Sequence, residues 1–325
     1  MKVLVTGASG LLGGRTALAL AARGDEVTVF QRRPSGLGLR ERLGDLTDPA
    51  AVRSAAGGVD AVVHLAAKVH VVGAWADYLA VNVEGTRAVV EGARAAGAGR
   101  LVQVSSPSVA HAGSSLVGAG AGPADPDRAR GPYSRSKAMA EQIVLAAHDE
   151  SFAVIAVRPH LVWGPGDTQL VGRIVARARA GRLSLVGQGT ALIDTTYLDN
   201  AVDALVAALD AAPTAGGQPY VVSNGQPRPV AEILTAICRA AGVRGPRVKV
   251  PYAAAWAAGA VVDTWWSARR REDDPPITRF LAEQLATAHW FDQRSTRDAL
   301  GWVPRVGIDE GFERLAAFYG ESGAR

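Results

Sequence analysis

The amino-terminal segment of the chain combines an apolar strand, a glycine-rich turn and a helical pattern. The strand at residues 2–6 runs directly into Gly7, Gly10 and Gly13, in the spacing TGxxGxxG. Gly7 permits the tight turn, Gly10 lets a pyrophosphate approach the backbone, and Gly13 lets the helix pack closely on the sheet. The pyrophosphate would lie on the unpaired N–H groups at the helix N-terminus. The turn therefore predicts a dinucleotide site, and apolar residues continue at helical spacing: Leu11, Leu12, Ala17, Leu18 and Leu20.

Strand and helix patterns alternate through the first half of the chain. This alternation predicts an α/β fold built on a doubly wound parallel sheet. The rhythm ends at about residue 160, so we expect a dinucleotide-binding (Rossmann) domain at 1–165 and a smaller, mainly substrate-binding domain at 166–325, with about 195–225 returning to the first. The predicted strands lie near 2–6, 26–30, 60–65, 100–104 and 153–157, and the predicted helices at 11–23, 48–56, 82–96 and 133–148.

Composition excludes several classes of function. The 35 basic residues are scattered among 31 acidic ones, giving a net charge of +4, which does not suggest nucleic-acid binding. Cys238 is the single cysteine, so the chain can form no internal disulfide and no cysteine-ligated metal cluster. The first strand leaves no room for a signal peptide, and no apolar run reaches the ~20 residues of a spanning helix. We expect a cytoplasmic protein without a metal site.

A YxxxK motif opens the helical pattern before residue 148. Tyr133 and Lys137 are four residues apart, which places both side chains on one helix face. An ammonium beside a phenol stabilises the phenolate, so we expect Lys137 to lower the pKa of Tyr133 and let it exchange a proton. The chain contains only four lysines and six tyrosines, so chance would produce this pair about 0.07 times.

The fourth predicted strand ends in a serine cluster. Ligands of a doubly wound sheet bind at the carboxyl ends of its strands. Ser106 is therefore expected to hold a substrate oxygen alongside Tyr133. For Ser105 and Ser108 a role in forming the turn is favoured. The candidate substrate contacts are Lys68, Ser106, Pro107, Ser108 and His160.

Together these motifs resemble one enzyme superfamily. The glycine turn, the serine and the YxxxK motif occur together with further short motifs, in an order typical of extended short-chain dehydrogenases/reductases, the NAD-dependent epimerase/dehydratase superfamily. These further motifs are Asp45-Leu46, His64-Leu65-Ala66-Ala67, Asn82, Arg158-Pro159 and Tyr197-Leu198-Asp199-Asn200-Ala201. The resemblance covers nearly the whole chain. Segments 105–109, 158–166 and 279–283 are most similar to the 3β-hydroxysteroid dehydrogenase branch, which includes sterol-4-carboxylate dehydrogenases and 2-alkyl-3-ketoalkanoate reductases of olefin biosynthesis.

The resemblance implies a role for each matching residue. Tyr133 would be the general acid/base, Lys137 would tune it and hold the nicotinamide ribose, and Ser106 would orient the substrate oxygen. The remaining matches would surround the cofactor from adenine to carboxamide. The full expected cofactor set is Gly7, Ser9, Gly10, Leu11, Leu12, Gly13, Arg32, Arg33, Asp45, Leu46, Leu65, Ala66, Ala67, Lys68, Asn82, Val104, Tyr133, Lys137, Pro159, His160 and Val162.

The end of the second strand bears on the choice of cofactor. An NAD site of this fold usually offers an acid about 20 residues past the glycines, whereas arginine suits the 2′-phosphate of NADP. No acid occurs between Glu26 and Glu41, and Arg32 and Arg33 stand where the phosphate would bind. We therefore favour NADP(H) over NAD(H). The alternative is that these arginines are solvated, or stack on adenine in either cofactor.

Two further segments concern the substrate. The glycine-, alanine- and proline-rich stretch 110–130 is expected to be either a lid without regular structure or a disordered surface loop. Segment 251–266 is apolar except for Asp263 and precedes Arg269-Arg270-Arg271. Burial in the core of the second domain is expected for it, with peripheral membrane contact as the alternative. In either case a hydrophobic substrate is favoured.

The sequence thus predicts a reductase or dehydrogenase that interconverts a secondary alcohol and a ketone on a hydrophobic 3-hydroxy/3-keto acid or sterol-like molecule. A nucleotide-sugar epimerase is one alternative, and a non-catalytic NADP-binding sensor or scaffold is another. The dehydratases of this superfamily follow the catalytic hydroxyl residue with an Asp-Glu pair, and Pro107-Ser108 replaces it here. The resemblance also implies a homodimer, for which Val83, Ala88, Val89 and Ala93 could form an apolar face or could instead pack on the sheet.

Overall fold

A seven-stranded parallel sheet forms the centre of the computed structural model, which describes residues 1–69, 73–111, 113–268 and 278–323. In chain order the strands are β1 (Lys2–Thr6), β2 (Glu26–Gln31), β3 (Arg40–Leu43), β4 (Ala61–His64), β5 (Arg100–Val104), β6 (Leu116–Ala119), β7 (Ala153–Pro159), β8 (Val162–Trp163), β9 (Ser184–Val186), β10 (Leu192–Ile193), β11 (Thr196–Tyr197), β12 (Gln218–Val222), β13 (Arg228–Pro229), β14 (Val248–Val250) and β15 (His289–Phe291). The sheet order is β12-β7-β5-β4-β1-β2-β3.

Helices cover both faces of this sheet and also make up much of the rest of the described chain. They are α1 (Leu11–Ala22), α2 (Pro49–Ala56), α3 (Trp75–Tyr78), α4 (Gly85–Ala95), α5 (Gly131–Ala146), α6 (Val171–Arg179), α7 (Leu198–Ala215), α8 (Val230–Ala240), α9 (Tyr252–Ala268), α10 (Arg279–Ala286), α11 (Arg294–Leu300) and α12 (Ile308–Gly323). A π-helical turn, Leu79–Glu84, joins α3 to α4. Helices α1 and α7 pack on one face, and α2, α4 and α5 on the other. The predicted doubly wound α/β fold is confirmed.

Two sheet strands were not predicted. Strand β3 has the sequence RERL and lies at the sheet edge with little burial, so it shows no apolar pattern. Strand β12 pairs in parallel with β7 and lies within residues 195–225, the segment that was expected to return to the first domain, although no strand was predicted there. The proposed division into two domains near residue 165 stays a prediction.

The segment between Ser106 and Tyr133 contains one short strand, and most of its other described residues form turns and irregular backbone. Its strand β6 pairs in parallel with β15, and the Leu116 N–H donates to the Ala288 carbonyl oxygen at 2.8 Å. Together with β10 and β13 these strands form a second sheet, in the order β13-β10-β15-β6. The expected lack of regular structure is therefore wrong for residues 116–119, because a strand about 170 residues away supplies their partner.

Two expectations about apolar surfaces are also settled by burial. Val83, Ala88, Val89 and Ala93 are buried, so they pack within the protomer and do not form an exposed dimer face. Homodimerisation itself stays a prediction. The apolar segment 251–266 forms most of α9, which lies at the surface with only Ala255 and Gly259 buried, so its expected core burial was wrong. Arg269-Arg270-Arg271 lie outside the described residues. No helix among the described ranges is long and apolar enough to cross a membrane.

Candidate active site

The glycine turn has the close packing that its sequence predicts. Gly7 adopts φ +77°, and a Cβ there would lie 2.7 Å from the Ala66 backbone nitrogen. A Cβ on Gly13 would lie 2.3 Å from the Gly7 carbonyl oxygen. Both distances are shorter than any tolerated contact with backbone, so both positions require glycine. The turn from β1 into α1 therefore depends on these two residues.

The space in front of Gly10 suits a phosphate. A Cβ at this position would meet only the Gly7 carbonyl oxygen, at 3.4 Å, among the described atoms within 4 Å. Helix α1 begins at the next residue, with no capping side chain and no acidic residue in its first turn. Its first N–H groups and positive dipole end are thus available to an anion. Ser9, Leu11 and Leu12 lie around this opening and are partly or fully exposed. The turn fits the pyrophosphate of a dinucleotide.

The end of β2 carries two exposed arginines. Arg32 and Arg33 form no ion pair with the residues that the structure describes. The nearby Asp45 carboxylate accepts hydrogen bonds from the Thr47 N–H and hydroxyl, both at 2.9 Å. The hydrogen bond from the Thr47 N–H holds the Asp45 pKa below its usual value. Partial burial opposes this lowering, whereas the Thr47 hydroxyl and the charge of Arg32 add to it. Leu46 is buried beneath the sheet.

Sequence analysis missed an acid beside this position. Glu41 lies on β3, and its carboxylate accepts hydrogen bonds from the Ser35 N–H at 2.8 Å, from the Ser35 hydroxyl, and from Gln31 Nε2 at 3.3 Å. Because β3 lacks an apolar pattern, its parallel pairing with β2 could not be predicted from the sequence. The Glu41 carboxylate is nevertheless engaged with protein donors. No acceptor among the described residues bonds either arginine side chain.

The end of β4 is fixed by a buried histidine. His64 Nδ1 lies 2.7 Å from the Thr6 hydroxyl, and its Nε2 lies 3.0 Å from the Thr86 hydroxyl. Thr86 donates its own proton to the Asn82 carbonyl oxygen, so His64 donates through Nε2 and accepts through Nδ1. Burial lowers the pKa of His64 to about 3, with the charge of Lys137 acting in the same direction. This neutral histidine holds the strand end that leads into Leu65, Ala66 and Ala67.

Asn82 connects that strand end to helix α5. Its Oδ1 accepts from the Lys68 N–H at 2.7 Å, and its Nδ2 donates to the Lys68 carbonyl oxygen at 3.1 Å and to the Ser136 hydroxyl at 2.9 Å. Ser136 in turn donates to the Tyr133 carbonyl oxygen at 2.8 Å. The Lys68 ammonium bonds Asp77 at 2.8 Å. Asn82 therefore positions the backbone of Lys68 against the turn of α5 that carries Tyr133.

Tyr133 and Ser106 meet at the carboxyl end of β5. Ser106 caps the short 3₁₀ turn Pro107–Val109, and its hydroxyl lies 3.0 Å from the Ser108 hydroxyl. Burial raises the pKa of Tyr133 to about 12, and the nearby Ser106 hydroxyl acts in the opposite direction. Lys137 makes no contribution to this pKa, so the expected lowering is wrong for this arrangement. At neutral pH Tyr133 carries its proton and is poised to donate it.

Lys137 lies one helical turn further into the protein. Its ammonium donates to the Val104 carbonyl oxygen at 2.6 Å, which fixes it at the end of β5. Burial lowers the pKa of Lys137 to about 8, and the charge of Glu141 acts in the opposite direction. Lys137 is thus mainly protonated at neutral pH. Ser105, by contrast, has a buried hydroxyl without a hydrogen-bond partner in the described structure.

Pro159, His160 and Val162 lie where β7 ends and β8 begins. His160 donates from Nδ1 to the Asp194 carbonyl oxygen at 2.6 Å, and its ring centroid lies 5.1 Å from that of Phe291 on β15. Burial lowers the pKa of His160 to about 4, so the ring is neutral. His160 therefore joins the end of the central sheet to the second sheet.

Sequence analysis also missed a buried acid on α5. Glu141 forms an ion pair with Arg158 of β7, and both side chains are completely buried. The one available signal was spacing, because Glu141 continues the four-residue interval of Tyr133 and Lys137. The Arg158-Pro159 motif was noted in the sequence, but nothing in the sequence identified Arg158 as the partner of Glu141.

Known proteins are similar to this chain along most of its length. A model of the NAD dependent epimerase/dehydratase family matches residues 3–223. The chain is 45% identical over 329 residues to a 2-alkyl-3-oxoalkanoate reductase of Stenotrophomonas maltophilia, covering 98% of this chain and 99% of the relative. It is 30% identical over 337 residues to a 3 beta-hydroxysteroid dehydrogenase/Delta 5-->4-isomerase of Mycobacterium tuberculosis (strain H37Rv), covering 98% and 90%.

Solved structures share the architecture. MoeE5 in complex with UDP-glucose and NAD superposes with a TM-score of 0.75 at 26% identity, covering 99% of both chains. A dTDP-glucose 4,6-dehydratase from Streptomyces venezuelae, with NAD and TYD bound, superposes with a TM-score of 0.77 at 24% identity, covering 100% of this chain and 98% of that one. The latter likeness concerns the fold alone.

Proposed function

The chain belongs to the NAD dependent epimerase/dehydratase family, and we propose that it is an NADP(H)-dependent reductase of 2-alkyl-3-oxoalkanoates or closely related hydrophobic 3-keto acids. It is an extended short-chain dehydrogenase/reductase with oxidoreductase relatives that act on keto and hydroxy compounds. The observation that carries the proposal is the placement of a protonated Tyr133 close to Ser106 at the carboxyl end of β5, two strands from the glycine turn that follows β1.

The proposed chemistry follows from the side chains at this meeting point. A nicotinamide dinucleotide supplies the hydride when it is bound at the glycine turn. Tyr133 donates its proton to the substrate carbonyl oxygen, and Ser106 holds that oxygen by a second hydrogen bond. Lys137, whose ammonium donates to the Val104 carbonyl oxygen, would hold the nicotinamide ribose, as the family resemblance implies. Burial keeps Tyr133 protonated near neutral pH, which is the state that can donate a proton to a carbonyl oxygen.

Two residues support NADP(H) as the cofactor. Arg32 and Arg33 are exposed and have no described ion-pair partner, and a guanidinium binds phosphate through a bidentate fork. The neighbouring Glu41 is engaged with Ser35 and Gln31. A 2′-phosphate would give both arginines a partner. A ribose hydroxyl would leave them solvated.

Reaction with a substrate panel tests the proposal. We expect the purified protein to oxidise NADPH with 2-alkyl-3-keto acids as the preferred substrates, and to be slower with 3-ketosteroids. Nucleotide sugars should give no turnover, because Pro107-Ser108 replaces the acidic pair of the dehydratases. Cofactor oxidation followed by absorbance measures the rates with keto substrates, and chromatography of the products measures conversion of nucleotide sugars, because epimerisation and dehydration cause no net oxidation of the cofactor. Turnover of nucleotide sugars alone would support the epimerase alternative, and binding of NADPH without turnover of any substrate would support the sensor alternative.

The exposed helix α9 supports contact with a lipid surface. Val261, Trp256 and Trp265 are 70%, 38% and 39% exposed, and the one acid of the helix, Asp263, bonds Arg279 at 3.2 Å. The helix has 17 residues, so its face measures about 25 by 10 Å. Two copies would bury about 500 Å², below the ~1,200 Å² of a stable dimer. Tryptophan at a helix surface is typical of a membrane interface. A hydrophobic keto acid would also partition into the membrane.

Vesicle binding checks this assignment. We expect Val261→Asp to weaken co-sedimentation with phosphatidylcholine/phosphatidylglycerol vesicles by roughly tenfold, since one buried valine contributes about 1.5 kcal/mol or more. Val303→Asp, at a 59% exposed valine outside α9, is the matched control and should bind as the wild type does. Equal vesicle binding by the wild type, Val261→Asp and Val303→Asp would contradict membrane contact through α9. So would a Val261→Asp variant that loses a dimer and keeps its vesicle binding.

A further inference from the structure

Three histidines lie together where the second sheet meets the carboxyl end of the central sheet. His289 is on β15, His160 follows β7, and His111 lies in the segment that joins Ser106 to Tyr133. The ring centroid of His289 lies 4.8 Å from that of His111 and 5.8 Å from that of His160. All three side chains are buried. The proposed reaction uses neither His111 nor His289, so it does not account for their contact.

Hydrogen bonds fix which nitrogens of this pair carry protons. His111 Nδ1 accepts from the Gly113 N–H at 3.3 Å, and its Nε2 donates to the Ser114 carbonyl oxygen at 2.7 Å. His289 Nε2 lies 3.1 Å from this Nε2–H group and accepts from it. The Thr287 hydroxyl, also 3.1 Å from His289 Nε2, donates to a backbone carbonyl oxygen at 2.6 Å. The contact therefore requires an uncharged His289, because a protonated ring would turn a second N–H group toward the first.

A positive charge on His289 would have no counter-charge in this position. Its Nδ1 is enclosed without a hydrogen-bond partner in the described structure. Burial lowers the pKa of His289 to about 3, and His160 and His111 act in the same direction. The Asp194 N–H donates to the His289 carbonyl oxygen at 2.9 Å, but the Asp194 carboxylate accepts from the Ser223 hydroxyl at 2.6 Å. A proton on His289 is therefore accommodated only when the ring leaves this position.

The surroundings of His111 are mixed in charge. Burial lowers its pKa, and Arg130 acts in the same direction, whereas the Ser114 carbonyl oxygen and Glu283 of α10 act in the opposite direction. The Glu283 carboxylate is buried and accepts from Trp256 Nε1 at 3.3 Å. No acid of the described residues acts in this way on the neighbouring ring of β15. That ring is therefore the more acid-sensitive partner of the contact.

The contact between the two histidines closes one end of a strap, defined as His111 with residues 113–119 and their attachment to β15. Strand β6 lies at the edge of the second sheet, beside β15. The Ala288 N–H donates to the Ser115 hydroxyl at 3.2 Å, and the Asp292 N–H donates to the last carbonyl oxygen of β6 at 3.1 Å. Residues 113–119 are partly buried or exposed. Little apolar burial holds the strap, so its bonds to β15 decide whether it stays closed.

We propose that His111 and His289 form an acid-sensitive latch, which holds the strap against β15 while both rings are neutral and releases it when His289 takes up a proton. A histidine whose pKa is lowered in the closed form makes that form less stable as the pH falls below the open-state value of about 6.5. From pH 7 to pH 5, one such histidine favours the open strap by about 25-fold. The latch does not depend on the proposed function. Its consequence for turnover does, because the strap lies between Ser106 and Tyr133.

Hydrogen exchange followed by mass spectrometry tests the latch without cofactor or substrate. After correction for the intrinsic pH dependence of amide exchange, the opening constant of peptides covering 113–119 should rise by at least about 25-fold from pH 7 to pH 5. Peptides from α7 should stay protected, which separates release of the strap from global unfolding. Equal opening constants at the two pH values would overturn the proposal, and so would loss of protection in α7 together with the strap.

Removal of the titrating ring is the second test. His289→Gln keeps a side-chain amide that can accept from His111, and its response to pH should be about 25-fold smaller than that of the wild type. His289→Phe can neither titrate nor accept, so its strap should open more at both pH values with the same reduced response. His148→Gln is the matched control, because it replaces a histidine outside the latch, beside Val154, and should respond as the wild type does. A wild-type response in either His289 variant would overturn the proposal.

Kinetics then link the strap to turnover. With a keto substrate, wild-type and His148→Gln activity should fall reversibly between pH 7 and pH 5, and His289→Gln should lose less. Release of the strap with unchanged turnover would overturn its coupling to the reaction. If no keto substrate is turned over at any pH, the proposed function fails, while hydrogen exchange still decides whether the latch exists.

Discussion

Replacing Tyr133 by phenylalanine is expected to lower the turnover of the keto substrate by about 10³-fold or more, since a positioned proton donor contributes ~10²–10⁴-fold. The substitution removes one hydroxyl, which carries the transferred proton in the proposed reaction and lies near Ser106. The ring remains, so the packing of α5 against the end of β5 is retained. Steady-state NADPH oxidation with saturating substrate measures the loss.

Two measurements make this result specific. NADPH affinity, followed by the quenching of tryptophan fluorescence, should change little in Tyr133→Phe, because the glycine turn and the arginines are untouched. Tyr220→Phe is the control, since it also removes one tyrosine hydroxyl, which donates to the Ala215 carbonyl oxygen at 2.9 Å on the edge strand β12. It should keep full turnover. If Tyr133→Phe retained wild-type turnover, the proton donor would be another group.

Replacing both Arg32 and Arg33 by alanine is expected to weaken NADPH binding by about 10- to 100-fold, which corresponds to ~1.5–3 kcal/mol for hydrogen bonds to a charged group. NADH affinity should change less than threefold, because NADH lacks the 2′-phosphate. Both side chains are exposed and lack described ion-pair partners, so the fold should be unaffected. Dissociation constants for both cofactors, measured by fluorescence titration at constant salt, check the difference.

A matched pair of arginines controls for general charge effects. Arg244 and Arg247 are exposed and follow α8, and replacing both by alanine also removes two positive charges. This variant should bind NADPH and NADH as the wild type does. Equal losses for NADPH and NADH in the Arg32/Arg33 variant would reject the phosphate-binding role. Glu41 would then be the group to test as a ribose ligand.

Local sequence determined the parts of this protein that depend on short-range geometry. The spacing of Gly7, Gly10 and Gly13 fixes a turn whose contacts are made within ten residues or with the next strand, and the structure bears out the close packing at Gly7 and Gly13. The four-residue interval of Tyr133 and Lys137 fixes a shared helix face in the same way. Alternating strand and helix patterns similarly determined the doubly wound sheet, because each buried strand is apolar by itself.

Only the tertiary structure decided what depends on distant partners. Strand β6 exists because β15 pairs with it, and α9 lies at the surface because α10 covers a single side of it. The pKa of Tyr133 lies near 12, and not below 10, because the surrounding protein removes water from its hydroxyl while the Lys137 ammonium bonds Val104. The Glu141–Arg158 pair likewise joins a helix to a strand that follows it in the chain. Glycine spacing and helical periodicity are local properties of the chain, whereas strand pairing, burial and charge environment are set by residues that only folding brings together.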